Sequence, residues 1–370
     1  MTNSKRCKYH DRLSQLPDAL IFEMFRLMPM TDVVRTSVLS KRWRNLWANT
    51  PFLNFDNDTM LFDDDRLRKF VDRALSLWKG TRVLKFKFQA SRRVAGDDSI
   101  YSDVDSWVSF AETRGVEELY LCLDWDCSYS VPQCLYSCSS LKALKLLDCN
   151  LKIFGNVQWN QLDSLSLCLR MVNGHTINQI LSGSPRLRVF ILGCIDIDGN
   201  LSIQSNSLKQ LGILNLRGSE DYAVSELRIC TPNLKILELR GVVNLYAKCL
   251  LMNVSSLSHA TLGLHGIDSH EYGLFSGKAL SQILPTIQHV EDVILSDWSA
   301  KGLRAMKMDS SFPNVKSLEL RCCSYDYKHV VGVLQIFPKL ERLVLKYHKG
   351  DGHHQDQRES LNLPESFVYS

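Results

Sequence analysis

Twelve cysteines and ten histidines are the residues of this 370-residue chain best suited to chemistry. Thiolates and imidazoles bind metals or attack carbonyl groups, but only at spacings that bring several together. No C-x-x-C pair occurs. Cys134 and Cys138 are four apart and His353 and His354 are adjacent, and neither set has the paired spacing of a structural zinc site. A glycine-rich phosphate loop, an H-E-x-x-H pair and a G-x-S-x-G elbow are all missing. The sequence therefore predicts no catalytic residue, no cofactor and no metal site, and the cysteines read as small apolar side chains.

The bulk properties agree. An apolar fraction of 45% with 23% charged residues is that of an ordinary soluble protein. The net charge of +4 is spread over interleaved acids and bases, which disfavours nucleic-acid binding. No run of 18 apolar residues exists and the polar, basic start, Met1 to Arg12, lacks an apolar segment, so neither secretion nor membrane insertion is expected. The expected location is intracellular, in the nucleus or cytoplasm, where all twelve thiols stay reduced.

The elements that position any functional surface are set by a repeat. An apolar residue, two others, an apolar residue, one other and an apolar residue recur from Val83/Phe86/Phe88 to Leu340/Leu343/Leu345. Eleven such units have central anchors running from Phe86 to Leu343 in ten steps, a mean period of 25.7 residues, within the range of a leucine-rich repeat. Cys149 and Cys323 fall three residues after a last anchor, where this repeat class turns a small polar side chain inward. Pro185, Pro232, Pro313 and Pro338 each stand two residues before an opening Leu or Val, ending the return segment and launching the strand. Two helices precede the array: one after Asp63, Asp64 and Asp65 with Gly80 closing it, the other through Val104, Trp107, Val108 and Ala111 with Gly115 closing it.

From Leu13 to Ala48 the pattern changes to three short helices. The first, Ala19 to Met28, is apolar on nearly every side with only Glu23 and Arg26 as interruptions, more surface than a module of about 50 residues can cover. Some of it must belong to a partner. Pro29 stops this helix, Thr31 is placed to cap the second, and Ser40 is placed to cap the third, which carries Trp43, Leu46 and Trp47. The basic run Lys41, Arg42 and Arg44 reads as a solvated helix face.

The stretch DRLSQLPDALIFEMFRLMPMTDVVRTSVLSKRWRNLWANTPFLNFD, Asp11 to Asp56, closely resembles the F-box of plant F-box/leucine-rich-repeat proteins, including the subset with a C-terminal FBD region. Phe70 to Gly80 and Asp103 to Leu121 resemble that family's passage into its repeats. The resemblance implies a non-catalytic client receptor of a cullin-based, SCF-type ubiquitin ligase. The F-box would bind a Skp-type adaptor, and through it a cullin and a RING protein. By position in the motif, the adaptor contacts are expected at Leu16, Pro17, Leu20, Ile21, Phe25, Val34 and Trp43. Ala19 departs from the acidic residue usual there. After Leu345 the sequence turns polar, so the FBD region is expected to be truncated or absent. The rival reading is a leucine-rich-repeat interaction scaffold whose F-box is not functional.

The expected architecture is α/β: a three-helix F-box at 11–56, a helical lead-in at 57–115, leucine-rich repeats at 116–347 forming a curved parallel sheet of about eleven strand units, and a polar tail at 348–370. Residues flanking the anchors point away from the core. They nominate Lys87, Tyr120, Val189, Ile191, Leu214, Ile236, Glu238, Arg240 and Arg321 as a client-binding surface, with an exposed apolar centre at Val189, Ile191, Leu214 and Ile236. The cations Lys85, Lys87, Arg240, Arg321, Arg342 and Lys346 raise a second possibility, a small polyphosphate held on the sheet. Their scatter among Glu118, Glu238 and Glu319 favours a solvated mixed-charge surface instead.

Overall fold

The computed structural model describes residues 13–56, 64–89, 99–123, 129–169, 171–193, 196–198, 200–216, 226–242, 248–265, 280–296, 299, 312–322 and 327–347. The chain divides into two compact units, Met1–Cys149 and Asn150–Ser370.

The first unit opens with the three predicted helices, α1 (Asp18–Arg26), α2 (Met30–Arg35) and α3 (Trp43–Leu46), joined by short 3-10 turns. Spacing decides their packing: Ile21 and Phe25, four apart on α1, are fully buried with Met30, Val33, Trp43 and Leu46. The Phe25 and Trp43 rings meet edge to face with centroids 5.8 Å apart. Ser40 caps as expected, its hydroxyl accepting the Trp43 N–H at 3.4 Å. Thr31 does not. It lies inside α2, whose flanking residue is the extended Pro29, because proline already fixes the backbone that leads into a helix. Arg42, expected on a solvated face, donates to the Leu16 carbonyl and pairs with Asp18, clasping α3 to the start of α1.

Four parallel strands follow in chain order: β1 (Phe52–Asp56), β2 (Lys85–Gln89), β3 (Glu118–Cys122) and β4 (Ala143–Leu147). The register aligns the predicted anchors, Phe86 with Leu119 and Leu144, and Phe88 with Leu121 and Leu146. The sequence reading assigned Phe52–Asp56 to the helical module, yet it is a strand whose Leu53 and Phe55 stand in register with Phe86 and Phe88. Its pattern carries two anchors instead of three, which hid it.

Helices α4 (Asp64–Leu77), α5 (Ser99–Glu112) and α6 (Gln133–Tyr136) connect the strands. The Trp107 indole donates to Asp72 at 2.8 Å and Arg68 pairs with Asp103 at 2.6 Å, tying α4 to α5. Gly115 closes α5 as expected. Its φ is +67°, and paired hydrogen bonds run from Gly115 N–H to the Glu112 carbonyl and from Val116 N–H to the Ala111 carbonyl. Gly80 serves a different purpose from the one expected: a Cβ there would lie 2.4 Å from the Trp78 ring, so glycine makes room for the indole. Gly115→Ala is expected to cost about 1–2 kcal/mol and lower the melting midpoint by roughly 3–6 °C. Gly155→Ala, with nothing within 4 Å, is the neutral control in the same calorimetric scan.

The second unit repeats the scheme with eight parallel strands: β5 (Ser164–Cys168), β7 (Val189–Gly193), β10 (Gln210–Leu216), β12 (Ile236–Val242), β14 (His259–His265), β15 (Asp292–Ser296), β16 (Ser317–Cys322) and β17 (Arg342–Tyr347). One row of anchors runs in register as Leu165, Phe190, Leu211, Leu237, Ala260, Val293, Leu318 and Leu343. Before the strands a recurrent turn closes, with Leu187 N–H donating to Ser184, Leu234 to Thr231 and Leu340 to Phe337 at 3.1–3.3 Å. Pro185, Pro232 and Pro338 occupy the second position of these turns, where a fixed φ favours the bend.

The return segments include α7 (Gly174–Ser182) and α8 (Tyr327–Leu334), but also short strands. β9 (Leu201–Gln204), β11 (Glu226–Cys230) and β13 (Lys248–Met252) form a second parallel sheet. β6 (Met171–Asn173) pairs with β8 (Asp196–Asp198). The fold class is therefore the expected α/β repeat, with returns built from strands as well as helices. Cys149 is buried with its thiol on the Leu147 carbonyl at 3.3 Å, the inward role expected of it, while Cys323 and the tail at 348–370 lie outside the described residues.

Candidate functional site

α1 has two apolar faces. Ile21 and Phe25 close the module's core, and Leu20, Met24 and Leu27, at i, i+4 and i+7, form an exposed stripe along the other side. Leu27 is 84% exposed and Val38, after α2, is 85% exposed; Leu13 and Leu39 are also open. Of the residues expected to touch an adaptor, Pro17 and Leu20 are exposed, and Leu16 and Val34 are half-buried. Ile21, Phe25 and Trp43 are buried and support the surface from behind, because they fall on the helix face turned toward the other helices. Met24, Leu27, Val38 and Leu39 were missed. Counting on from Leu20 in helical steps would have found the first two.

In the first unit, Lys87 and Tyr120 face away from the strand anchors, as expected. Lys87 pairs with Asp56, and its ammonium sits 5.0 Å from the Tyr120 ring centroid. Lys85 shares Glu118 with Arg26 of α1 at 3.6 and 3.5 Å.

In the second unit the expected apolar centre is not open. Ile191 and Leu214 are each 4% exposed and Glu238 is buried, while Val189 and Ile236 are half-buried. Gly212 stands in register between Ile191 and Glu238, and a Cβ built there would touch Ile191 at 3.5 Å, so the isoleucine lies against bare backbone. Arg240 bonds Glu238 at 2.6 Å with its stem across Gly263, where an added Cβ would come within 2.9 Å of it. Arg321 pairs with Glu319 at 2.6 Å, and Lys346 reaches the same carboxylate at 3.1 Å. Burial acting alone would raise the Glu319 carboxyl, but the hydrogen bonds from Arg321 and Lys346 outweigh it and hold it below its ordinary range. Arg240, Arg321 and Lys346 are each matched to a neighbouring acid, which argues for a mixed-charge face over a polyphosphate site.

One arrangement resembles a hydrolytic triad: Ser258 Oγ lies 2.8 Å from His259 Nδ1, and His259 Nε2 lies 3.0 Å from Asp292. The serine hydroxyl also lies 3.1 Å from the Lys235 carbonyl, which ties it to the backbone just before β12. It acts as a clamp between strands. Among the described residues no group of three or more His, Cys, Asp or Glu side chains could hold a metal ion, and no helix is long and apolar enough to cross a membrane.

Two buried thiols are held in their unreactive, protonated form. Burial pushes the Cys249 thiol up to about 12 and raises Cys138 as well. Iodoacetamide at neutral pH should therefore label half-buried Cys134 and Cys230 well before Cys249. The denatured, unreduced chain should accept label at all twelve cysteines, and a protected pair would contradict the reduced state.

A three-helix module with an exposed apolar stripe, followed by parallel repeat strands at leucine-rich spacing, defines an F-box protein with a leucine-rich-repeat domain. Residues 13–55 match the F-box domain and residues 75–362 match the At1g61320/AtMIF1-type LRR domain. The chain belongs to the plant F-box/leucine-rich-repeat family. It is 30% identical to the F-box/LRR-repeat protein At3g03360 of Arabidopsis thaliana, over 90% of this chain and 70% of that protein. It is 31% identical to the putative F-box protein At1g49610 of the same plant, over 90% and 84%. To the F-box/FBD/LRR-repeat protein At1g13780 it is 27% identical, over 97% and 82%.

Proposed function

We propose that this chain is the client-recognition subunit of an SCF-type ubiquitin ligase. The observation that carries the reading is the stripe Leu20, Met24 and Leu27 on α1 with Val38 and Leu39 beyond it, an apolar surface that the module builds and leaves uncovered. A Skp-type adaptor covers this face, and the adaptor hangs from a cullin whose RING partner brings the ubiquitin-loaded conjugating enzyme. The chain itself makes no bond. The solvent-facing rows of the strands hold the client, with Lys87 and Tyr120 in the first unit and Val189, Ile236, Arg240 and Arg321 in the second. Ile191, Leu214 and Glu238 support that surface from within. Ile21, Phe25 and Trp43 do the same for the adaptor face.

The test is reconstitution. Clients captured with the proteasome blocked should gain ubiquitin when incubated with adaptor, cullin, RING protein and this chain, and should not when the chain is left out. Capture of clients by a chain that never binds a Skp-type adaptor would favour the rival reading, a repeat scaffold with a non-functional F-box.

A further inference from the structure

In the second unit the residue after the first anchor of each repeat forms a ladder across the starts of the strands. Toward either end of the sheet this ladder joins opposite charges. Arg188 holds both carboxylate oxygens of Asp163, and Lys316 pairs with Glu291 at 3.0 Å. Between these pairs the alternation breaks. Arg188, Lys209 and Lys235 follow one another, the Lys209 N–H donating to the Arg188 carbonyl and the Lys235 N–H to the Lys209 carbonyl, each at 2.8 Å. Neighbouring strands stand about 4.8 Å apart, so the two lysines rise from adjacent rungs. Both are exposed, and neither side chain has an ion-pair partner among the described residues. Arg186, also exposed, donates to the Gln161 amide oxygen at 2.8 Å, a neutral partner. Three consecutive repeats thus each present a cation that no described carboxylate matches.

Folding gains nothing from this. Like charges on neighbouring strands repel, and an acid at position 209 or 235 would extend the pairing that Asp163 and Glu291 begin. An anion laid across the two lysines restores the alternation, so the free protein holds a charge arrangement that a bound partner completes.

The adjoining row narrows the kind of anion. One residue further along the strands, Val189, Gln210 and Ile236 stand in register, with Val189 and Ile236 half-buried. A basic rung therefore runs beside apolar side chains. In an extended polypeptide successive side chains turn to opposite sides and alternate ones lie about 6.7 Å apart, within reach of two lysines on adjacent rungs. A segment lying along the rows can set its carboxylates over Lys209 and Lys235 and the residue between them against Val189 or Ile236. A nucleic acid fits less well, since its phosphate backbone offers nothing apolar to the second row.

We propose that Lys209 and Lys235, with Val189 and Ile236 beside them, bind a client segment in which acidic residues alternate with apolar ones. The inference rests on the client-binding role of the outward strand rows and names the chemistry those rows select.

The test uses the full chain and three fluorescent peptides of equal length, measured by anisotropy at low salt. One alternates glutamate with leucine over its central residues, the second has glutamine for glutamate, and the third has serine for leucine. The first should bind, and the other two should bind about fivefold more weakly or worse. Lys209→Gln/Lys235→Gln should weaken binding of the first peptide about fivefold or more, the loss expected of two exposed ion pairs, with unchanged circular dichroism and melting. Lys41→Gln/Arg44→Gln removes the same charge from exposed positions of the first unit and should leave binding unchanged. Equal loss in the two double variants would show attraction to net charge alone and would overturn the proposal. Full affinity in Lys209→Gln/Lys235→Gln, equal binding of either altered peptide, or tighter binding of a single-stranded RNA of equal charge would do the same. If Ile236→Asp blocks client ubiquitination while none of the peptides binds the parent chain, the client surface stands and only the acidic preference falls.

Discussion

Leu20→Gln/Leu27→Gln is expected to weaken capture of a Skp-type adaptor about a hundredfold or more while leaving the chain folded. Both side chains are exposed, Leu27 at 84%, so neither supports the module from within. Each large apolar side chain transferred into an interface contributes roughly 1.5–3 kcal/mol, so losing two removes at least two decades of affinity. Glutamine is the right replacement because it keeps helix propensity and adds no charge near the helix end, where an aspartate would meet the negative end of the helix dipole. The contrast is Phe25→Ala on the opposite face. Phe25 is fully buried against Trp43, and deleting its ring should cost about 3–5 kcal/mol of stability, so that adaptor capture falls because the module unfolds. Circular dichroism melts run beside pull-downs distinguish the two mechanisms.

Ile191→Asp is expected to unfold the second unit, and Ile236→Asp is not. At 4% exposure Ile191 lies against Gly212, and an unpaired carboxylate there must either stay charged without a partner or take up a proton. The expected loss exceeds about 4 kcal/mol, and insoluble expression is the practical readout. Ile236 stands in register with exposed His259 and is only half-buried, so an aspartate can reach solvent. Its variant should melt within about 2 °C of the parent and reveal its effect, if the client rests there, in ubiquitin transfer alone.

The repeat was legible because period and anchor spacing are written in residues such as Phe86, Leu119 and Leu144, which the register brings into line. β1 escaped because Leu53 and Phe55 supply only two anchors, and Thr31 misled because proline at position 29 already starts the helix. The exposed surfaces were harder to read. On α1 the sequence marks apolar residues at nearly every position, and only packing against Trp43 decides that Phe25 turns inward and Leu27 outward. On β7 and β10 the outward position of Ile191 follows from strand alternation, but its burial depends on Gly212 across the register, a tertiary fact with no local signature. The second sheet of β9, β11 and β13 went unseen because its strands lie in the return segments, between the anchors whose spacing reveals the repeat.

Removing residues 13–55 is a poor way to ask whether the helical module binds an adaptor, since it also strips β1 from β2 and exposes Phe86 and Phe88. Titration of the intact, purified chain with a Skp-type adaptor in a calorimeter is more direct. The account predicts a one-to-one complex with a Kd of about 1 μM or tighter, weakened about a hundredfold in Leu20→Gln/Leu27→Gln. A folded chain that gives no heat of binding at roughly 100 μM adaptor, or a double variant that binds as the parent does, would contradict it.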